Sequence, residues 1–269
     1  MIMRGVGLRC ELHIKGVGYD IERLRCDLHI KGDINSDTSI IMDVEQATIG
    51  QSKNPLWHKV RKGKITASNV GTIVKRRNVT EEFVKGCKAP KDISYLPAIR
   101  WGVLHEDDAV KQYVAVTENV FRPCGIFICK ERSWLGATPD GLVHDTKEDS
   151  HGILEIKCPY SIRDEKPDAC FTRLHFTDNK GMLKKNHKYY YQIQTQLHTS
   201  GYTWCDFVIW TPAGLHIERI DRDDTFFNNH VLTKLDHFYA NHWTKESVTC
   251  KVTRESVTCN IAKEIEVTS

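Results

Sequence analysis

The chain has no apolar run approaching the roughly 18–20 residues that span a bilayer, so a helical membrane protein is not expected. Its start, MIMRGVGLRCELHIKG, is interrupted by charges and does not read as a secretory signal. Nor is it a disulfide scaffold. Ten cysteines are spread over 269 residues, and Cys129, Cys158 and Cys205 fall within expected core strands. Buried free thiols in a reducing, intracellular compartment are the expectation, with nuclear and cytoplasmic both open. An extreme net charge is also lacking, at +3. What is there is 40% apolar residues with a spread of aromatics, enough for one large domain with extensions.

The small net charge hides an asymmetry. Residues 51–100 hold twelve Lys and Arg against three acids, a local excess of +9, while the remainder has 26 basic and 32 acidic residues. A basic segment beside an acidic site suits a polyanion, although a solvated basic face explains the segment alone slightly better.

Three parts are expected: an extension over 1–48, a body over 49–245 and a tail over 246–269. In the extension LRCELHIKG (8–16) recurs as LRCDLHIKG (24–32), each with strand-like alternation. Two copies are too few for a solenoid. Cys10/His13 and Cys26/His29 invite a zinc reading, but residues three apart on a strand face opposite ways, so a hairpin or a loose duplication is preferred. The tail repeats ESVTC at 246–250 and 255–259. In the body, helices are expected at 55–61, 66–74 (with Thr66 as N-cap), 93–118, 187–199 and 224–243. Strands are expected at 121–129, 134–138, 141–145, 152–158, 203–211 and 214–221. This order predicts an α/β fold, a mixed central sheet flanked by helices.

Chemistry concentrates in TPDGLV (138–143) and ILEIKCP (153–159). Alternation along a strand puts Glu155 and Lys157 on one face of an otherwise apolar run, where a buried charge needs a partner or an ion. Asp140, at the Pro-Asp-Gly turn, supplies a second carboxylate and makes an oxygen-lined site suited to Mg²⁺. An isolated E-x-K is more often a surface ion pair. Glu106 sits one helical turn after Gly102, a glycine that would admit another backbone closely. Gln192 and Gln196 share a helix face and Gln194 points elsewhere. Cys158 follows the lysine but faces the other way.

With these residues in view, LWHKVRKGKITASNVGTI (56–73), RWGVLHEDDAV (100–110), TPDGLV, ILEIKCP and YYYQIQTQL (189–197) resemble the consecutive motifs of the YqaJ viral recombinase family, within the PD-(D/E)XK nucleases. Order and rough spacing agree over about residues 52–245. The resemblance implies a restriction-endonuclease-like core and a Mg²⁺-dependent 5′→3′ exonuclease acting on duplex DNA ends in recombination or repair. It implies two metal ions, with Mn²⁺ as a substitute. Asp140, Glu155 and the Ile156 carbonyl are implied as metal ligands, and Lys157 and Gln192 as positioning the attacking water. Glu106 is implied to complete the acidic site, and Arg61, Ser68 and Thr138 to hold a terminal 5′-phosphate. Thr138 stands where a phage member has serine, and residues 144–151 form a longer insert, expected to be a hairpin tip. By analogy with that member, a trimeric ring around DNA and a single-strand annealing partner are also implied. An endonuclease or flap nuclease on the same core, or an idle DNA-binding domain from a mobile element, are the alternatives.

Overall fold

A computed structural model describes residues 44–244. The duplicated segment, its Cys/His pairs and the ESVTC repeats lie outside the described residues.

Five strands form the main sheet, in the order β2-β5-β6-β7-β8: Val120–Arg122, Gly141–Asp145, Ser150–Lys157, Trp204–Thr211 and Gly214–Asp221. Only the β6–β7 pair is parallel; the others are antiparallel. A smaller sheet has β1 (Ile65–Thr66), β4 (Leu135–Ala137) and β3 (Phe127–Ile128), with β1 parallel to β4 and β3 antiparallel to it. Around them lie α1 (Pro55–Arg61), α2 (Ala67–Val74), α3 (Glu81–Lys88), α4 (Pro97–Thr117) and α5 (Lys188–Ser200). Last comes α6, where α turns (Asp224–Phe226, Thr233–Phe238) alternate with π turns (Phe227–Leu232, Tyr239–Trp243). The expected α/β class is observed, with two mixed sheets rather than one. Among the described residues no helix is long and apolar enough to cross a membrane.

The two faces of β6 set the layers. Ile153 packs with Ile193 and Leu197 of α5 and with Cys205, Phe207 and Ile209 of β7. Leu154 and Ile156, offset by one residue, pack with Ala109 and Tyr113 of α4. Tyr113 also fixes α4 through a buried hydrogen bond from its hydroxyl to Asp206 Oδ2 at 2.6 Å. Arg219 donates to both oxygens of the same carboxylate, at 2.9 and 3.2 Å. Both acceptor oxygens of this buried side chain are thereby filled.

Three local expectations needed correction. The strand expected over 121–129 divides into β2 and β3, which belong to different sheets. Between them Pro123 has no N–H, and the next donors are taken by side chains rather than a ladder: Gly125 N donates to Glu45 Oε1 at 3.0 Å and Ile126 N to Thr48 Oγ1 at 2.9 Å. The helix α3 was not expected; Thr80 caps it, accepting from Phe83 N at 3.2 Å. Finally, Gly102 admits no other backbone: a Cβ there would meet nothing within 4 Å.

The close approach occurs instead at Gly71 on α2. A Cβ there would lie 2.7 Å from Lys188 Cα and 3.0 Å from its carbonyl oxygen, at the start of α5. Backbone cannot swing aside, so Gly71→Ala should destabilise by about 1–3 kcal/mol. Gly102→Ala, an open helical position, should stabilise by about 0.5–1 kcal/mol. Denaturant unfolding of the two variants against the parent checks both signs.

Candidate active site

The sheet puts two acids at one end of the β5–β6 pair. Asp140 directly precedes β5, and its N–H donates to Leu154 O at 3.0 Å. Its carboxylate accepts from Ile156 N at 2.6 Å, which ties the turn to the neighbouring strand. Glu155 is 1% exposed. Its Oε1 accepts from Gln192 Nε2 at 2.6 Å and from the Lys157 ammonium, and its Oε2 accepts from Gln196 Nε2 at 2.7 Å. Glu155 and Lys157 therefore do share a face, directed toward α5. Gln194 points away, donating to Asp221 O at 2.8 Å.

Glu106 reaches the same region from α4. Ala109 and Tyr113, three and seven residues on, are fully buried, so Glu106 lies on the sheet-facing stripe. Burial first, then the charge of Glu155, pushes the Glu106 carboxyl above its usual range. Asp140 is raised well above its usual value, by desolvation first and then by Glu155, with Glu106 adding to it. For Lys157, desolvation disfavours the ammonium, but Glu155 and Asp140 outweigh it and hold the pKa above the ordinary lysine value. The Lys157 Nζ also sits 4.9 Å from the centroid of the Tyr189 ring. Cys158 packs into the α4-side cluster, off the face that carries Lys157.

The three residues matched to phosphate binding are linked through others. Trp57 Nε1 donates to Thr138 Oγ1 at 3.1 Å, and the Arg61 guanidinium lies 4.7 Å above the Trp57 ring. Arg61 Nη2 is 3.5 Å from Thr66 Oγ1, which is 3.1 Å from Ser68 Oγ. The Thr66 hydroxyl is thus spent on this chain; Thr66 stands at the N-cap of α2 without a side-chain cap bond. No carboxylate pairs with Arg61 among the described residues. Sequence reasoning missed Trp57, Thr66 and Gln196. Gln196 had a signal, its shared face with Gln192; the other two had none.

The profile of the YqaJ-like viral recombinase domain matches residues 56–203, which enclose every one of these side chains. The chain belongs to that family. As a YqaJ-like domain, it is 28% identical to the alkaline nuclease of Autographa californica nuclear polyhedrosis virus over 229 residues, 76% of this chain and 52% of the viral protein. It is 27% identical to the alkaline nuclease of human herpesvirus 7 (strain JI) over 143 residues, 49% of this chain and 28% of that protein. The chain thus spans about half or less of the curated relatives it matches. Among solved structures, an alkaline exonuclease from Laribacter hongkongensis (LHK-Exo) superposes with a TM-score of 0.54 at 27% identity, covering 68% of this chain and 90% of that one. Its complex with dAMP gives 0.55. The shared fold is the restriction-endonuclease-like one.

Gln196 is fully buried, and its Nε2 serves one oxygen of the Glu155 carboxylate. Gln196→Leu should therefore destabilise by about 1.5–3 kcal/mol, the cost of stripping a charge-assisted bond from a buried carboxylate. Gln192→Ala should cost less, because Lys157 still serves the other oxygen. Chemical denaturation in the absence of added metal ranks the two.

Proposed function

We propose that this YqaJ-like domain is a divalent-cation-dependent deoxyribonuclease that degrades duplex DNA from its 5′ ends, in recombination or repair. The observation that carries the reading is the convergence of Asp140, Glu155 and Lys157, with Glu155 held by Gln192 and Gln196. The alkaline nucleases and the Laribacter exonuclease it resembles support the reaction class. That the Laribacter protein has been captured with dAMP supports a deoxynucleotide substrate.

The side chains fit a hard cation. Burial and the charge of Glu155 raise the charging cost of Asp140 and Glu106, a repulsion that a divalent ion relieves. Oxygen donors suit Mg²⁺, with Mn²⁺ as a substitute. Asp140, Glu155 and the Ile156 carbonyl would hold it, and when bound it would supply charge stabilisation for an in-line displacement at phosphorus. Lys157 would orient the attacking water and offset the negative charge that develops, with Gln192 placing the carboxylate that helps aim it. Arg61, Ser68 and Thr138 would grip a terminal 5′-phosphate. Lys75, Arg76 and Lys188 line a recess of about 340 Å³ between α2 and α5, suited to the phosphate backbone without reading bases.

Asp140→Asn and Glu155→Gln, which keep shape, should abolish cleavage of linear duplex with Mg²⁺ while DNA binding persists. Lys157→Ala should lower turnover about 10²–10³-fold. Release of acid-soluble nucleotides at saturating DNA measures both, and full activity in Asp140→Asn would remove the metal-site assignment.

Arg61→Ala separates end-directed from internal cutting. Loss of a charge-assisted contact to a terminal phosphate, about 1.5–3 kcal/mol, should lower the rate on 5′-phosphorylated ends about ten- to a hundredfold at low substrate. The effect on 5′-hydroxyl ends should be smaller. Equal loss on both ends, together with nicking of circular duplex by the parent, would point to an endonuclease.

A further inference from the structure

A second cluster of metal-binding donors lies away from the acidic site. Cys129 follows β3, Glu131 sits in the β3–β4 loop, and His198 is in the last turn of α5. The Cys129 sulfur, a Glu131 carboxylate oxygen and a His198 ring nitrogen all lie within 4.8 Å of one another. Cys129 is 1% exposed, and its thiol is 3.5 Å from Glu131 Oε2. Both ring nitrogens of His198 are buried and have no hydrogen-bond partner among the described residues. Buried polar atoms are rarely left this way, and an ion is one of the few remedies. The ring cannot easily turn to find another partner, because it stacks on Phe227 with centroids 4.0 Å apart.

We propose that Cys129, Glu131 and His198 form a binding site for Zn²⁺ or a chemically similar transition-metal ion, separate from the Asp140/Glu155 site. Thiolate, imidazole and carboxylate are the zinc donor set, whereas the oxygen-rich acidic site suits Mg²⁺. His198 lies two residues beyond Gln196, about 200° around α5, so the two project to opposite sides of the helix. Glu131 is exposed and leaves a fourth position open to water. The loop is already braced: Arg132 grips Asp236 of α6 in a two-pronged ion pair at 2.7 and 2.9 Å. A bound ion would join the β3–β4 loop to α5, the helix that holds Glu155 through Gln192 and Gln196. The role follows from that geometry: a clamp on the helix behind the active carboxylate, formed with release of the Cys129 proton.

The full chain, stripped with a chelator, should take up Zn²⁺ in competition with a chromophoric chelator. Co²⁺ should give a thiolate charge-transfer absorption. The comparison is between variants, so that any zinc held elsewhere in the chain does not enter it. Cys129→Ser should abolish this component of the cobalt absorption, and Glu131→Gln, an exposed change harmless to folding, should weaken one zinc equivalent at least tenfold. Asp140→Asn should leave that equivalent intact. Zinc should also raise the melting temperature of the parent where excess Mg²⁺ does not, and that gain should vanish in Cys129→Ser and shrink in Glu131→Gln. Zinc stoichiometry and affinity unchanged in either of those two variants would overturn the site. Loss of the equivalent in Asp140→Asn would overturn its separateness.

Discussion

The buried carboxylate of Glu155 is the constraint on which the rest is organised. A lone carboxylate in the middle of a sheet would cost several kcal/mol or would simply take up a proton. Here it meets three donors, from Gln192, Gln196 and Lys157, and each requires a particular element in a particular place. The two glutamines need α5 to cross this face of β6 with its 192/196 stripe inward. That requires Ile193 and Leu197 to be buried beside them, and both are fully buried. The approach of α2 at Gly71 then sets where α5 begins. A polar requirement at one atom pair thus fixes a helix, and the apolar packing around it supplies the stability.

Once Glu155 is held, Asp140 cannot be far away. Residue 140 is one step before the β5–β6 ladder, whose first pair is Gly141 with Leu154. The backbone N–H of Ile156 then holds the Asp140 carboxylate. Two acids separated by fourteen intervening residues are brought together by a hairpin alone, whose ladder continues through His144 with His151 and Asp145 with Ser150, leaving only 146–149 as the turn. Glu106 comes from the opposite layer, on a helix anchored seven residues later by Tyr113 and Asp206. The acids therefore stand on elements fixed by separate contacts, and their mutual repulsion is borne by the fold.

How much of this was legible depends on sequence distance. Alternation places Glu155 with Lys157, and the helical period places Gln192 with Gln196, because both rules are local. The division of 121–129 was not legible, because the donors it loses go to Glu45 and Thr48, some 80 residues away. Gly102 misled for the same reason: a glycine in a helix signals a close approach only if another chain is there, and that chain is found at Gly71. The link from Arg61 through Thr66 to Ser68, and from Trp57 to Thr138, joins β1, two helices and the turn before β5. Motif matching named its ends but not its middle.

The charge asymmetry of the sequence becomes a spatial one. The acidic groups are drawn inward, where Glu155 is almost without solvent contact, while the basic segment supplies α1, α2 and their flanks. Arg61 is stripped of water by burial, which lowers its pKa, yet no carboxylate neutralises it among the described residues. A desolvated, unpaired guanidinium is costly unless an anion arrives to accept its fork. The cation–π contact with Trp57 offsets part of that cost, since aromatic faces stabilise a cation without consuming its hydrogen-bond donors. Thr138 and Asp140 join the two groups: the Thr138 hydroxyl accepts from Trp57, over which Arg61 lies, and two residues on the Asp140 carboxylate accepts from Ile156 N. On the proposed reading, a phosphodiester strand would offer Arg61 the anion it lacks, and a divalent cation would relieve the repulsion that raises Asp140 and Glu106. That pairing, more than any single side chain, would tie the basic segment and the acidic motifs into one site.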